Sequence, residues 1–422
     1  MQEMNTKNTC YNSMDLMINV DKAKKLLMNS APRAKDHEYI NLDRAADRVL
    51  AQTIRSQIDL PTHDNSAVDG YAFNFENFLK YKKFKIVGES LPGKPFLKNL
   101  KSGQAIKIYT GALILNKRSY KHPINTVVMK EEISEKENTI KIKSKVEIGQ
   151  NIRRKGEDII KKQIIFKKGT KLRAVDLGYL SSVGINKIKV FKKLKIGIFS
   201  SGNEINLSKK KKKYMIFDSN KISLITLFKK IGCEPFDCGV IKDNYKITKV
   251  KIEKMSKKFD ILVTSGGISS SDTDVIKKVI KEVGKIKFSK ISLKPGRPFT
   301  FALVNNKPFL GLPGNPVAVI VVFLYFLVDF VNKIYGIKNS QLKYFKVRSN
   351  FNFKKKRNRR ELLRGYLLKR NDILFVERYH TEGSGILSSI ANSDGLVELK
   401  DSEQIIKKGS LLNFYSFESL LK

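Results

Sequence analysis

Leu194-Lys195-Ile196-Gly197-Ile198-Phe199-Ser200-Ser201-Gly202-Asn203-Glu204 is an apolar run of strand length that breaks into small, hydroxyl-bearing and acidic residues. Such a run suits a strand covered on both faces, with a loop at its carboxyl end. Downstream, Asp218-Ser219-Asn220 supplies cap chemistry for a helix through Lys229. Pro235 to Ile241 is the next strand, and Asp260 to Thr264 is a third that leads into Ser265-Gly266-Gly267. Asp272 or Asp274 then opens another helix. Strands alternating with helices need crossovers, which are right-handed, so this region predicts a mainly parallel α/β sheet.

Working outward, the pattern changes on both sides. Val20, Ala23, Leu26 and Leu27 carry a helical stripe, and Leu42, Ala45, Ala46, Val49 and Leu50 carry a second that reads as helix or turn. From Tyr71 to Val146 the apolar runs shorten to Phe84–Val87, Ala105–Tyr109, Thr126–Met129 and Thr139–Ile142, a β-rich insert. Val317 to Val328 is unbroken apolar, but Asp329 ends it short of the ~18 residues that span a bilayer. It reads as a buried helix starting just after Pro316, and no membrane span is expected. From Gln341 onward short strands return, predicting a small C-terminal β-domain. A length of 422 residues fits two to four such units.

Composition narrows the chemistry. Lys and Arg total 82 against 40 Asp and Glu, a formal +42. The excess is spread along the whole chain and is mostly Lys, which fits compositional bias better than the localised stripe of a nucleic-acid protein. Its field should draw in anionic substrates. The runs Lys209–Lys213 and Lys354–Arg360 lack interleaved aromatics and read as solvated. Met1 to Ser13 is polar, with no secretory h-region. Cys10, Cys233 and Cys238 form no CxxC pair, which suits a reducing, cytoplasmic setting. The four histidines form no HExxH, so zinc hydrolysis and a Ser-His-Asp triad are poor readings.

Ligands of open α/β sheets bind beyond the carboxyl ends of the strands. Here those ends lead to Glu204, to Asp243, and to Ser265, Gly266 and Gly267 followed by Asp274. The glycines permit turns whose N–H groups cup a phosphate, although neither GxGxxG nor GxxxxGK[ST] spacing is present. Gly311-Leu312-Pro313-Gly314-Asn315-Pro316 is a second such nest, directly before the apolar helix. Lys290, Lys294 and Arg297 surround a proline-stiffened turn and suit phosphate or an oxyanion. Glu204, Asp243 and Asp274, if convergent, would hold a hard cation such as Mg²⁺; alternatively Asp274 caps its helix.

Asp64-Asn65-Ser66-Ala67-Val68-Asp69-Gly70-Tyr71-Ala72 could by itself be an Asx-turn cluster. It also resembles the DNSAMDGYA signature of the molybdopterin molybdenumtransferases and of gephyrin's E domain, with Val68 in place of Met. Further matches follow in that family's order: Thr110-Gly111-Ala112, Arg153 to Asp158, Ser200 to Ile205, Ser265-Gly266-Gly267 with Asp274, Lys294 to Pro298, Gly311 to Pro316, Arg364-Gly365 and Gly383-Ser384. They run from about Asp15 to the C-terminus. Two departures are Ser271, where the family commonly has Gly, and Leu113, where it has Pro.

The resemblance implies an α/β plus β, multidomain subunit, usually in a homodimer. A discontinuous domain is expected from residues 15–60 and 150–190, and a β-rich insert from 61–149. A doubly wound α/β domain similar to the MoaB and MogA proteins is expected over 191–338, and a C-terminal β-barrel over 341–422. It further implies that Glu204, Asp243 and Asp274 serve Mg²⁺ and the adenylylated pterin. Lys290, Lys294, Pro313 and Pro316 would line a molybdate pocket, with Arg297, Gly314 and Asn315 beside them. Asp64, Thr110, Asp158, Arg364 and Ser384 would complete a cleft formed with the partner subunit. The implied reaction consumes adenylyl-molybdopterin and molybdate and gives molybdenum cofactor and AMP. The implied contacts are an upstream adenylyltransferase and acceptor molybdoenzymes.

Overall fold

The apolar run after Pro316 becomes a continuous helix, Pro316–Tyr335, against which the sheet and both flanking regions are packed. The computed structural model describes residues 17–117, 119–206, 213–268, 274–338 and 343–418. Asn315 stands at the N-cap position and Pro316 at the first turn, where its missing N–H costs nothing. Gly336, at φ 72°, ends the helix in the left-handed conformation. The helix is long and apolar enough to cross a membrane, yet 89% of its apolar window is buried inside the protein. Phe323 meets Phe228 edge-on with centroids 4.9 Å apart, and Phe326 meets Phe299 at 5.3 Å. Asp329 does not end it: its carboxylate lies 3.8 Å from Lys24 Nζ, on the helix Val20–Asn29 that packs alongside.

The α/β sheet has the order Glu234–Ile241, Lys195–Ser201, Ile261–Ser265, Lys307–Leu312, Thr300–Val304, Gly284–Phe288. The first four strands are parallel, and Thr300–Val304 is antiparallel to both its neighbours, so Gly284–Phe288 runs with the first four. Ile196, Ile198, Val263 and Leu310 pack on the helices Ser219–Lys230 and Pro316–Tyr335. Phe199, Leu262 and Phe309 face the opposite way, against Ile252, Ile276 and Ile280 of the helices Tyr245–Lys258 and Val275–Val283. Helices thus cover both faces, which is the doubly wound arrangement. The Tyr245–Lys258 helix leaves only a faint trace in the sequence, because two of its three buried residues, Thr248 and Ser256, are polar.

Before this domain the chain leaves and returns. His37–Asn41 pairs with Lys187–Phe191, Ile54–Arg55 with Ile164–Phe166, and Asn65–Ser66 with Ile152–Arg153. The stripe from Leu42 to Leu50 makes only a 3-10 turn, Leu42–Arg44. Val49 and Leu50 are extended instead, bridging to Lys171 and Val190, so pairing with the returning chain overrides helical periodicity. Between the two passes lies a six-stranded sheet ordered Thr126–Met129, Gly70–Phe73, Gln104–Ile108, Lys83–Ser90, Thr139–Ile142, Ile133–Lys136.

At the C-terminus, Arg360–Arg370, Ile373–Arg378, Phe345–Ser349, Leu411–Ser416 and Gly395–Leu399 pair in succession. Gly395–Leu399 returns to Arg360–Arg370, closing a five-stranded barrel without free edges. A short strand, Leu293–Lys294, joins its margin, with Lys294 opposite Glu361. That pairing brings the Lys294 turn of the α/β region to the barrel. Asp15, Cys10, Ser271, Asp272, Gln341 and Lys209 to Lys212 lie outside the described residues.

Candidate active site

The carboxyl ends of the parallel strands bring three loops together. Gly266 and Gly267 have φ of +83° and +70°, and a Cβ on Gly266 would stand 2.5 Å from the Ser201 carbonyl oxygen. Only glycine allows so close an approach in that conformation. The Gly266 N–H donates to Leu312 O at 3.2 Å, and the Ser265 hydroxyl donates to Pro313 O at 3.2 Å. Asn220 Nδ2 donates to both Ser265 Oγ and Gly314 O, each at 2.7 Å. Asp218 caps the same helix through Lys221 N and accepts the Ser200 hydroxyl at 2.5 Å. The sequence marked Asp218 and Asn220 only as capping residues; the tie across two glycine loops has no local signature.

Beside these loops lies a cleft of about 400 Å³ between the α/β domain and the barrel. Lys294, Arg297, Pro313, Gly314, Asn315 and Ser384 line it, together with Arg359, Glu382 and Met17. Asn315 Nδ2 donates to Ser384 Oγ at 2.8 Å, and the Ser384 carbonyl accepts the Val317 N–H at 3.1 Å. The barrel loop therefore satisfies one of the N–H groups left over at the helix start. Lys294 Nζ is 2.7 Å from Glu382 Oε2 and 3.5 Å from Glu361 Oε2. Lys294, Arg297 and Arg359 face Glu382 in the lining and Glu361 buried behind it, an excess of one positive charge that favours anions.

Other expected residues stand elsewhere. Arg364 is buried below the barrel loop rather than lining the cleft. Its guanidinium donates to Ser389 Oγ, Thr381 O and Gly383 O, so it holds the loop that presents Ser384. Burial pulls its pKa down, partly offset by the Glu382 charge. Lys290 accepts the Ile18 N–H through its carbonyl and is half-buried outside the cleft lining. Pro316 is the helix's first residue and also does not line the cleft.

Among the described residues, no group of three His, Cys, Asp or Glu side chains is placed to hold a metal ion. Glu204 and Asp243 are exposed on neighbouring loops, the latter linked to the former's loop by Asp243 N donating to Asn203 Oδ1 at 3.4 Å. Asp274 occupies the N-cap position of Val275–Val283, but its side chain makes no capping hydrogen bond. The simple capping reading of Asp274 is therefore not what the geometry shows.

The Asp64 segment forms a separate cluster. Asp64 accepts from Arg154 Nη1 and the Lys155 backbone N–H, both at 2.8 Å. Asp69 accepts from the backbone N–H and hydroxyl of Thr110 at 2.7 and 2.8 Å, and these two bonds hold its pKa below the usual range. Tyr71 donates to Glu135, and burial first, then that hydrogen bond, pushes its pKa up to about 12. Asp158 is exposed nearby. None of Asp64, Thr110 or Asp158 lines the Lys294 cleft.

Comparison with known proteins agrees across the chain. Residues 18–184 match the MoeA N-terminal region (domain I and II), 197–333 a probable molybdopterin binding domain, and 346–417 the MoeA C-terminal region (domain IV). The chain is 32% identical over 409 residues to a molybdopterin molybdenumtransferase of Haemophilus influenzae, covering 96% of this chain and 100% of that one. A molybdopterin molybdenumtransferase of Nostoc is 30% identical, with 93% and 92% covered. The crystal structure of a molybdopterin biosynthesis MoeA protein from Pyrococcus horikoshii superposes with a TM-score of 0.82 at 28% identity, covering 94% of this chain and 99% of that one. With the glycine loops, the anion-favouring cleft and the full-length match in agreement, the chain belongs to the molybdopterin molybdenumtransferase family, enzymes of molybdenum cofactor biosynthesis.

Proposed function

We propose that the chain inserts molybdate into adenylyl-molybdopterin in a Mg²⁺-dependent reaction that releases molybdenum cofactor and AMP. The observation that carries this reading is the convergence of Lys294, Arg297, Pro313, Gly314, Asn315 and Ser384 on one small cleft. Lys294 and Arg297 supply positive charge for a tetrahedral dianion, and the exposed Gly314-Asn315 turn adds backbone donors at a helix start. The turn at Ser265, Gly266 and Gly267 stands at the sheet's carboxyl edge, where the pterin substrate of such a sheet would bind. Holding molybdate beside the dithiolene lets the two thiols displace molybdate oxygen, which leaves as water with the thiol protons, without any protein nucleophile.

The donor set fits Mg²⁺. Glu204 and Asp243 are solvent-facing carboxylates on adjoining loops. Mg²⁺ typically takes one or two carboxylates together with substrate phosphates and water, and does not need a closed protein cage. Bound there, it would neutralise charge on the pyrophosphate as the adenylyl bond is cleaved. Asp274, at the next strand-to-helix junction, is the third acid assigned to this role.

A homodimer belongs to the same proposal. The separation of Asp64, Thr110 and Asp158 from the cleft within one chain supports a site completed by a second copy. A cytoplasmic setting, supply by an adenylyltransferase and delivery to molybdoenzymes complete the reading, and nucleic acid has no part in it. The test combines purified protein with adenylyl-molybdopterin, molybdate and Mg²⁺, and follows AMP release and reconstitution of an apo-molybdoenzyme. Molybdate-dependent AMP release, lost in Asp274→Ala and Lys294→Ala and with EDTA, is expected. Substrate binding without AMP release would overturn the transferase reading.

A further inference from the structure

Lys294 stands between two carboxylates that differ in their freedom to leave. Glu361 sits on the barrel strand Arg360–Arg370 with its side chain 1% exposed, and Arg359 also holds it at 2.5 Å. Glu382 sits in the connection between Ile373–Arg378 and Ser388–Ala391, with its side chain 36% exposed. Its second partner is Arg378, at 3.2 Å from Oε1. The same connection carries Ser384, which seals the start of the core helix through Asn315 and Val317. Glu382 is thus the acid that lines the anion-favouring cleft, and it takes up the cation that the cleft would use.

We infer that Glu382 is a built-in counter-anion and positioning residue: an incoming oxyanion takes Lys294 over from Glu382, which thereby sets the cleft's affinity for anions. The inference rests on the reading of this cleft as an oxyanion site. An ammonium group has three donors and no acceptor, so carboxylate and oxyanion compete for the same N–H groups. A carboxylate left in place also repels the newcomer at short range. Displacement does not strand Glu382, because Arg378 remains its partner and solvent adjoins it. Glu361 cannot play this part: Arg359 keeps it in place, and its buried side chain has no solvent to turn into.

The test titrates molybdate into the full-length protein by calorimetry at low salt, for wild type, Glu382→Gln, Lys294→Ala and the double variant. Glutamine keeps the shape and an acceptor oxygen but removes the charge. Glu382→Gln is expected to bind molybdate about five-fold more tightly than wild type, the scale of one partly exposed ion pair. The gain should shrink as salt is added, and Lys294→Ala should remove binding in both backgrounds. A gain in affinity cannot arise from lost structure, so it reports the charge itself. Equal, Lys294-dependent affinity in wild type and Glu382→Gln would overturn the counter-anion role and leave the oxyanion site standing. Absence of binding in all four proteins, or binding indifferent to Lys294→Ala, would overturn the oxyanion site and the Glu382 role together.

Discussion

Asn220 donates a 2.7 Å hydrogen bond to the hydroxyl of Ser265, tying the helix after the first α/β strand to the loop after the third. The same amide nitrogen reaches the Gly314 carbonyl, so one side chain spans both glycine loops. Asn220→Ala is expected to raise KM for the pterin substrate and slow AMP release about ten-fold, with at most ~2 kcal/mol of stability lost. Steady-state AMP release and urea midpoints measure the two effects separately. An unchanged KM would show that the loops keep their places without this tie.

Gly266 and Gly314 separate folding from function. Alanine at Gly266 must hold φ near +83° and would drive its Cβ against the Ser201 carbonyl, which cannot rotate away. Gly266→Ala is expected to cost about 2 kcal/mol or more. At Gly314 the nearest atom to a new Cβ is Gly266 Cα at 3.9 Å, so Gly314→Ala should stay within about 0.5 kcal/mol of wild type. Thermal unfolding of the two variants side by side checks the contrast.

The first helix meets the barrel through Arg360, which donates to both carboxylate oxygens of Asp21 at 3.0 Å and approaches Glu398 at 3.5 Å. The partners are not equivalent: the Asp21 side chain is 70% exposed and that of Glu398 only 5%. Arg360→Ala strands a buried carboxylate and should cost ~3–5 kcal/mol, whereas Asp21→Ala should cost less than about 1 kcal/mol. Comparable losses in urea unfolding would contradict this ordering.

Glu398 gives stability a pH dependence. Burial alone would push its carboxyl up, but hydrogen bonds from Tyr325 and Asn413, the Arg360 charge and Tyr415 outweigh burial and hold it below the usual range. A pKa lowered by folding stabilises fully above the unfolded value of about 4.3 and is lost as pH falls through the folded value. Wild-type urea midpoints should therefore fall more steeply than those of Glu398→Gln below about pH 4. Parallel curves would remove Glu398 from the acid response.

Much of this organisation was legible in local residue patterns. The strand run at Ile196 to Phe199, the Asp218 cap, the glycines at 266 and 267 and the apolar helix after Pro316 each declare themselves within a few residues. The Leu42–Leu50 stripe misleads, because its apolar spacing fits a helix while Val49 and Leu50 are drawn into pairing with distant chain. The Tyr245–Lys258 helix was hidden for the opposite reason, having a buried face that is largely polar.

The site divides in the same way. Residue types and their order were enough to identify the family and to nominate Lys294, Asn315 and Ser384, because a side chain's chemistry and its place in a motif are properties of the chain itself. Which nominees meet was decided by the fold. Arg364 belongs to a motif that points to the cleft, yet it is buried holding the loop that carries Ser384. Asp64 and Thr110 are engaged with Arg154 and Asp69 in a cluster of their own. Lys294 and Glu382 are 88 residues apart, and their ion pair exists because Leu293–Lys294 joins the barrel margin. Periodicity records which face of an element is apolar over a turn or two. It holds no record of where a strand returns, and the charge that an entering anion meets in this cleft depends on that return.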